Sequence, residues 1–277
     1  MKEFEFLREG VVIIEALLVE DLVVGYDGKV ILDQINVSIP KGKITVLIGS
    51  NGCGKSTLLK TMSRLLNEKQ GNIYLHERLM KEMSAKEIAK ELSILPQTPV
   101  APEGMTVLEL VRQGRYPHKQ LFKPYSKEDD EAVNRALHAT DTYELRHREV
   151  QDLSGGQRQR VWIAMTLAQD TETIFLDEPT TYLDLAHQIE VLDLLQELNE
   201  DQHKTVVMVL HDLNLAARYA DYLIVVSNQK IYSSGAPDEV ITKQMLKEVF
   251  NLKAEIEKDT ITGTPICVPY SKRLKKK

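Results

Sequence analysis

The chain has 277 residues, and its 35 Lys and Arg against 41 Asp and Glu give a formal net charge of −6. This length suits one large domain or two small ones, and the acidic balance disfavours a generally basic nucleic-acid-binding surface. Only two cysteines occur, Cys53 and Cys267, which excludes a disulfide scaffold or zinc ribbon and fits a reducing compartment. The longest apolar stretch, residues 11–19, is interrupted by Glu15 and is too short to span a membrane, and the acidic N-terminus does not match a signal peptide.

Strand patterns dominate the first fifty residues. Residues 17–24 and 30–39 are predicted strands joined by a turn at 26–29. The short apolar run Ile44–Ile48 ends at Gly49 and suits a buried strand. Beyond it, five apolar residues recur at helical spacing and predict a helix: Leu58, Leu59, Met62, Leu65 and Leu66.

Helix patterns dominate the middle of the chain, and strands return after it. Ser84 with Glu87, and Thr106 with Glu109, each fit a capping box that starts a helix. Residues from about 98 to 170 are expected to be helical without clear strands. The rest alternates predicted strands with predicted helices, in the order strand 174–176, helix 185–198, strand 205–210, helix 213–220 and strand 223–226. Such alternation indicates an α/β fold with a mainly parallel sheet.

The first chemical motif is Gly-Ser-Asn-Gly-Cys-Gly-Lys-Ser at 49–56, which matches the phosphate-binding pattern G-x-x-x-x-G-K-[ST]. Its glycines let the backbone curl so that successive N–H groups face phosphate oxygens, and the helix that follows adds its positive end. We expect Lys55 to reach the β- and γ-phosphates and Ser56 to supply an oxygen to Mg²⁺. The motif predicts nucleotide binding.

The second motif is an apolar run that ends in two carboxylates, Asp177 and Glu178. A strand delivers Asp177 to the carboxyl end of the sheet, where ligands bind in open α/β folds. Asp177 can hold Mg²⁺ through water, and Glu178 is then placed to polarise a water that attacks the γ-phosphate. Alone this motif is weak, but downstream of a phosphate-binding loop it predicts ATP hydrolysis.

The third motif, Leu-Ser-Gly-Gly-Gln at 153–157, is absent from ordinary phosphate-loop enzymes. Ser154 can cap the helix that follows, and two glycines leave its amides open to an anion. Together, in this order, the three motifs make residues 17–250 resemble the ATP-binding-cassette (ABC) ATPases. The resemblance implies a RecA-like phosphate-loop NTPase core of α/β type, with an antiparallel β subdomain and a helical subdomain inserted at about 98–170. Residues 1–16 would be an N-terminal extension and 251–277 a C-terminal tail, whose basic run 272–277 would be solvated or attracted to anionic lipid.

The resemblance also assigns roles to single residues. Tyr26 stands where the family has an aromatic that stacks on adenine, Gln97 where a glutamine touches Mg²⁺ and senses the membrane partner, and His211 where a histidine contacts the γ-phosphate. Asp184 lies in the loop that crosses the dimer interface. The ATP-binding set would be Tyr26, Gly49, Ser50, Asn51, Gly52, Cys53, Gly54, Lys55, Ser56 and Thr57. Leu153, Ser154, Gly155, Gly156 and Gln157 would act from the opposite subunit. The metal residues would be Ser56, Gln97 and Asp177, and the catalytic residues Lys55, Glu178 and His211.

Three segments are similar to the ATPase subunits of bacterial iron–siderophore, haem and cobalamin importers. They are 106–118, which ends in Gly-Arg-Tyr-Pro-His, 180–190, which begins Thr-Thr-Tyr-Leu-Asp, and Pro265–Tyr270. This similarity implies an ATPase that energises a membrane importer, with ferric siderophores as the first substrate and haem or cobalamin as alternatives. No residue contacts the transported substrate, so this choice depends on resemblance alone.

The resemblance further implies ATP and Mg²⁺ as cofactors and a head-to-tail homodimer under a pair of membrane permeases. An extracytoplasmic substrate-binding protein would be the indirect partner, no nucleic acid would bind, and the chain would lie at the cytoplasmic face of the membrane. Gln97 and residues 115–118 would couple to the permease, so we expect charge reversal at Arg115 to lower transport more than it lowers the ATPase activity of the isolated subunit. The alternatives are a soluble non-transport ABC ATPase, acting in translation or DNA repair, and a small-molecule kinase, which the 153–157 motif disfavours.

Overall fold

The computed structural model describes residues 5–8, 11–26, 28–119 and 124–270. The basic run 272–277 and one residue of the predicted turn at 26–29 lie outside these ranges. Backbone contacts divide the chain into a first unit, residues 1–81 and 207–277, and a second unit, residues 82–206. The second unit contains the segment predicted as a helical insertion, but the domain boundaries themselves stay a prediction.

The first unit begins with an antiparallel sheet. Its early elements are β1 (Glu5–Arg8), β2 (Val11–Tyr26), β3 (Lys29–Pro40), β4 (Ile44–Ile48), α1 (Lys55–Met62), β5 (Gln70–Leu75) and β6 (Arg78–Leu79). The antiparallel sheet has the order β1-β2-β5-β6, with β3 paired to β2. Tyr26 pairs with Lys29, and Gly28 has a positive φ of 84°, which glycine adopts without steric cost.

The buried strand β4 and the helix α1 enclose the phosphate-binding motif. All five residues of β4 are buried, as predicted for a strand covered on both faces. Leu58, Leu59 and Met62 form the buried side of α1. The helix ends at Met62 rather than continuing to Leu66, because Arg64 adopts a left-handed conformation with φ 59°. Leu65 is consequently 61% exposed.

The second unit contains helices between two parallel strands. Its elements are α2 (Ala85–Glu91), β7 (Leu92–Leu95), α3 (Val107–Gln113), α4 (Lys127–Ala139), α5 (Gly155–Ala168), β8 (Thr173–Leu176) and α6 (Leu185–Gln202). The capping boxes predicted at Ser84 and Thr106 are present. Within 98–119 and 124–170 the helices α3, α4 and α5 pack together, and an isolated bridge replaces any strand. Strands β7 and β8 run parallel in register, Leu95 beside Leu176.

The chain returns to the first unit within β9 (Thr205–Val209). The elements that follow are α7 (Leu213–Tyr219), β10 (Tyr222–Ser227), β11 (Lys230–Gly235), α8 (Pro237–Val240), α9 (Lys243–Phe250), β12 (Ala254–Lys258) and β13 (Pro265–Pro269). Strand β10 runs parallel to β4 and antiparallel to β11. Strands β12 and β13 form an antiparallel hairpin inside the segment predicted as a tail.

No helix in the described ranges combines the length and the hydropathy that a membrane span requires.

The C-terminal hairpin packs on α7. At its turn, the Asp259 carboxylate accepts hydrogen bonds from the backbone N–H groups of Ile261 and Thr262 and from the guanidinium of Arg218 at 2.6 Å. The backbone hydrogen bond from Ile261, followed by the Arg218 contact, lowers the pKa of Asp259 from 3.8 to about 2.

Asp259→Asn is expected to remove a pH-dependent contribution to stability. Because folding lowers the pKa of Asp259, the charged carboxylate stabilises the fold above about pH 4, and this contribution is lost between about pH 4 and pH 2. Urea unfolding should show a lower free energy of unfolding for Asp259→Asn at pH 7, with the gap from wild type shrinking below pH 4. The exposed Asp238→Asn is the control, and a gap that does not change with pH would contradict the assignment.

Candidate functional site

The phosphate-binding motif forms a tight loop between β4 and α1. Gly54 is the N-cap of α1 in a left-handed conformation, with φ 108°. At Gly49, with φ 153°, an added Cβ would lie 2.2 Å from the backbone oxygen of Val226. Only glycine fits at Gly49, because that contact would be with rigid backbone. The loop therefore has the backbone curl that a phosphate cradle requires.

Lys55 places its ammonium group against this loop. The residue is 5% exposed, and its Nζ donates to the backbone oxygens of Gly49 at 2.9 Å and Ser50 at 3.2 Å. Both partners are neutral carbonyls. A phosphate oxygen is a stronger partner for an ammonium ion than a neutral carbonyl is, because opposite charges attract each other directly. The contacts hold the cation at the loop without neutralising it.

Two more predicted site residues belong to the first unit. Tyr26 ends β2 and is 46% exposed, which leaves ring surface for stacking. His211 is exposed and follows Leu210, whose N–H donates to the Leu47 oxygen at 3.3 Å. This hydrogen bond brings the backbone before His211 beside the end of β4, two residues before the loop starts at Gly49.

The ends of β7 and β8 bring three predicted residues of the second unit together. The Asp177 N–H donates to the Leu95 oxygen at 2.9 Å. Gln97 lies two residues beyond Leu95, and its amide Nε2 donates to Glu178 Oε2 at 2.6 Å. Asp177 is 1% exposed. The arrangement leaves the side-chain oxygen of Gln97 as a possible ligand, because its nitrogen is the atom that contacts Glu178.

Glu178 has an unusual backbone conformation and a partner that the sequence did not reveal. Its φ is 58°, which a non-glycine residue adopts only where the surroundings enforce it. The Thr181 hydroxyl donates to Glu178 Oε2 at 3.0 Å. A hydroxyl three residues after a carboxylate at a turn was the available sequence signal. Gln97 and Thr181 therefore both donate to Glu178 Oε2 and together fix the direction of the carboxylate.

The Leu153–Gln157 motif is a capped helix start that faces outward. Ser154 caps α5 and accepts the Gln157 N–H, while the Gln157 side chain accepts the Ser154 N–H in return. Ser154 and Gly155 are exposed, whereas Leu153 is 4% exposed and anchors the turn. The positive end of the α5 helix dipole thus lies at an exposed position.

His187 links this motif to the predicted interface loop. A Cβ added at Gly156 would lie 2.5 Å from the His187 ring, so the ring packs directly on that glycine. His187 Nδ1 lies 2.7 Å from Asp184 Oδ1, and the Asp184 carboxylate also accepts the His187 N–H. That backbone hydrogen bond is the main cause of the lowered pKa of Asp184. The sequence alone assigns His187 no role, since a single histidine carries no pattern.

Arg115 is not the surface residue that the sequence suggested. Its side chain is 4% exposed, and the guanidinium donates to Asp129 Oδ1 and to the Ala168 oxygen, both at 2.9 Å. Burial alone would raise the pKa of Asp129, but hydrogen bonds from Ser126 and Arg115 outweigh burial and lower it. Tyr116 next to it is 74% exposed. Charge reversal at Arg115 would thus test folding rather than coupling to a permease, and coupling through residues 115–118 stays a prediction.

Arg115→Glu is expected to destabilise the fold strongly, because it leaves two carboxylates at a buried site. Breaking a buried ion pair costs about 3–5 kcal/mol of unfolding free energy. Urea unfolding at pH 7 should show a loss of this size for Arg115→Glu. The neighbouring Tyr116→Ala is the control and should stay within about 0.5 kcal/mol of wild type. Equal stability of both variants would contradict the buried role of Arg115.

Comparison with known proteins identifies the family of this site. The sequence profile described as ABC transporter matches residues 32–181. The chain belongs to the ABC transporter family. It is 54% identical over 258 residues to the petrobactin import ATP-binding protein FpuD of Bacillus anthracis, covering 93% of this chain and 94% of FpuD. It is 52% identical over 255 residues to the iron(3+)-hydroxamate import ATP-binding protein FhuC of Bacillus subtilis (strain 168), covering 92% and 95%.

Solved structures agree with this assignment. A chain of an ABC transporter described as metal-chelate type, in an inward-facing conformation, superimposes with a TM-score of 0.81 at 31% identity, covering 93% of this chain and 98% of that chain. The dimeric ABC transporter cassette MJ0796 gives a TM-score of 0.70 at 26% identity, covering 79% and 98%. The predicted α/β phosphate-loop NTPase fold is confirmed, and the chain is an ABC-type ATPase.

Proposed function

We propose that this ABC ATPase is the ATP-hydrolysing subunit of an importer for ferric siderophores. The observation that carries the proposal is the 2.6 Å contact between Gln97 Nε2 and Glu178 Oε2. Gln97 matches the glutamine that senses the membrane partner in this family, and Glu178 matches the residue that activates water. A hydrogen bond between them gives a permease a direct route to the carboxylate that controls hydrolysis.

The substrate class is supported by the relatives. FpuD and FhuC differ by two percentage points in identity to this chain, yet their names specify petrobactin and iron(3+)-hydroxamate respectively. Similarity of the cassette sequence thus indicates import of the class of ferric chelates and does not identify one siderophore. Haem and cobalamin remain alternative cargoes of the same class of importer. Relatives named for import make a role in translation or DNA repair the weaker alternative.

ATP would be held by the loop of the first unit. Residues 49–57 would supply backbone N–H groups, and Lys55 would exchange its carbonyl partners for phosphate oxygens. Tyr26 would stack on adenine. The donors assigned to Mg²⁺ are the hydroxyl of Ser56, the amide oxygen of Gln97 and the carboxylate of Asp177, which are the hard oxygen ligands that this ion prefers. Bound Mg²⁺ would neutralise charge on the phosphates.

Hydrolysis would depend on Glu178 and His211. Glu178 would take a proton from the attacking water, with Gln97 and Thr181 fixing the direction of its carboxylate. His211 would contact the γ-phosphate and stabilise the charge that develops there. Both residues follow buried strands, so their backbones are held in place before nucleotide arrives.

The working form would be a head-to-tail homodimer under a permease pair. Ser154 and Gly155 are exposed and would complete the ATP site of the second copy. On either side of Asp184, Tyr182 is 90% and Leu185 67% exposed, and these apolar side chains would be buried by dimerisation. The dimeric cassette MJ0796 supports this arrangement. Tyr116 would contact the permease at the cytoplasmic face, and an extracytoplasmic binding protein would deliver the chelate.

Glu178→Gln is expected to trap the dimer. The change keeps the size of the side chain but removes the proton acceptor, so hydrolysis should fall by about 10²–10⁴-fold while ATP still binds. Gel filtration with ATP and Mg²⁺ should show a stable dimer. The double variant Lys55→Ala/Glu178→Gln should stay monomeric, because it lacks the cation that faces the phosphates. A normal rate in Glu178→Gln would show that another group is the base.

The cargo can be tested by growth. A strain lacking this chain should fail to grow on ferric siderophores as the sole iron source, and the wild-type gene but not Glu178→Gln should restore growth. Haem and cobalamin supply, tested in parallel, should not depend on the chain. Loss of growth on haem alone would transfer the assignment to haem import. Unchanged growth on all three would point away from import.

A further inference from the structure

The segment Pro265–Tyr270 has no proposed role in ATP binding. It contains β13, which packs on α7. Asn214, in the first turn of α7, pairs with the backbone of Cys267 in both directions. The Cys267 N–H donates to Asn214 Oδ1 at 2.8 Å, and Asn214 Nδ2 donates to the Cys267 oxygen at 3.3 Å. The reciprocal pair fixes the position and the rotation of the helix relative to the strand.

A second contact holds the same helix one turn further on. Arg218 lies four residues after Asn214, which places both side chains on one face of α7. Its guanidinium donates to the Asp259 carboxylate at 2.6 Å, and Asp259 is 6% exposed at the hairpin turn. The hairpin therefore holds α7 at two successive turns through charged or reciprocal hydrogen bonds.

Helix α7 needs such support. It has seven residues, and isolated helices shorter than about 12–15 residues are marginal in water. Its N-cap, Asp212, accepts the N–H groups of Asn214 and Leu215 and directly follows His211. The capping residue and His211 share a peptide bond, so a shift or rotation of α7 moves the histidine with it.

We infer that the β12–β13 hairpin positions His211 for catalysis, with Asn214 and Arg218 as positioning residues that act through α7. The inference rests on the proposed role of His211 at the γ-phosphate. It gives the C-terminal segment, predicted as a tail, a function in the ATPase cycle of its own subunit. The hairpin sets the rate of the chemical step and leaves the affinity for ATP unchanged.

Steady-state ATPase of the full chain tests this inference. Asn214→Ala removes both hydrogen bonds to Cys267 and is expected to lower kcat at least about fivefold, the effect of losing one hydrogen bond of ordinary strength, with KM for ATP within about twofold of wild type. His211→Ala should lower kcat by about 10²-fold or more. The double variant should be no slower than His211→Ala, since a residue that acts only through His211 has no effect once the histidine is gone.

Matched variants separate positioning from folding. Val268→Ala alters an exposed side chain of the same strand, and its kcat should equal that of wild type. Arg218→Lys keeps a cation opposite Asp259 and should retain more of kcat than Arg218→Ala does. Thermal melting of each variant identifies any that fails to fold. If Asn214→Ala fails to fold, the comparison of Arg218→Ala with Arg218→Lys provides the test.

The outcomes are distinguishable. A normal kcat in Asn214→Ala and Arg218→Ala, with His211→Ala slow, would overturn the positioning role alone. An equal proportional loss from Asn214→Ala in the presence and absence of His211 would show that the hairpin acts by another route. A normal rate in His211→Ala would overturn the proposed catalytic role of the histidine, and the positioning role with it.

Discussion

The structure depends on one constraint: a buried parallel strand is covered on both faces, so polar site residues can only follow the end of the strand. Strand β4 is followed at once by the phosphate loop, β7 within two residues by Gln97, β8 at once by Asp177, and β9 within two residues by His211. Each strand is apolar and fully or nearly fully buried, which fixes the backbone from which the polar residue departs. These polar residues therefore follow the carboxyl ends of buried strands, which is where ligands bind in open α/β folds.

The same burial explains what the sequence could predict. Apolar runs such as Ile44–Ile48 and the capping boxes at Ser84 and Thr106 are local patterns, and the structure shows them where they were expected. The β12–β13 hairpin was missed because its strands are short and contain proline and charged residues, and because α7, whose contacts with it span 41 and 53 residues of sequence, stabilises their pairing. The hydrogen bond from Gln97 to Glu178 and the contact of His187 with Gly156 are also tertiary, and no local spacing encodes them.

The segment around Arg115 shows how a family motif can combine folding and function. A Cβ at Gly114 would lie 2.1 Å from the Met165 oxygen, so the chain can approach α5 this closely only with glycine. Arg115 then crosses to Asp129, and His118 Nε2 lies 2.8 Å from the Gln169 oxygen. Gly114, Arg115 and His118 thus join α3 and α4 to α5. Tyr116, which lies among them in sequence, is the exposed residue of the four. A charged residue in a motif that is typical of the family therefore need not face the permease.

The packing of His187 on Gly156 has an evolutionary consequence. Because a methyl group at position 156 would overlap the imidazole ring, the two positions cannot drift independently. A lineage that acquired alanine at 156 would need the His187 ring to move or a smaller side chain at 187, and either change would disturb the contact of the ring with Asp184. The three positions form an epistatic set in which the order of substitutions matters, so neutral variation at the helix start and at the loop is restricted to paths that keep the glycine.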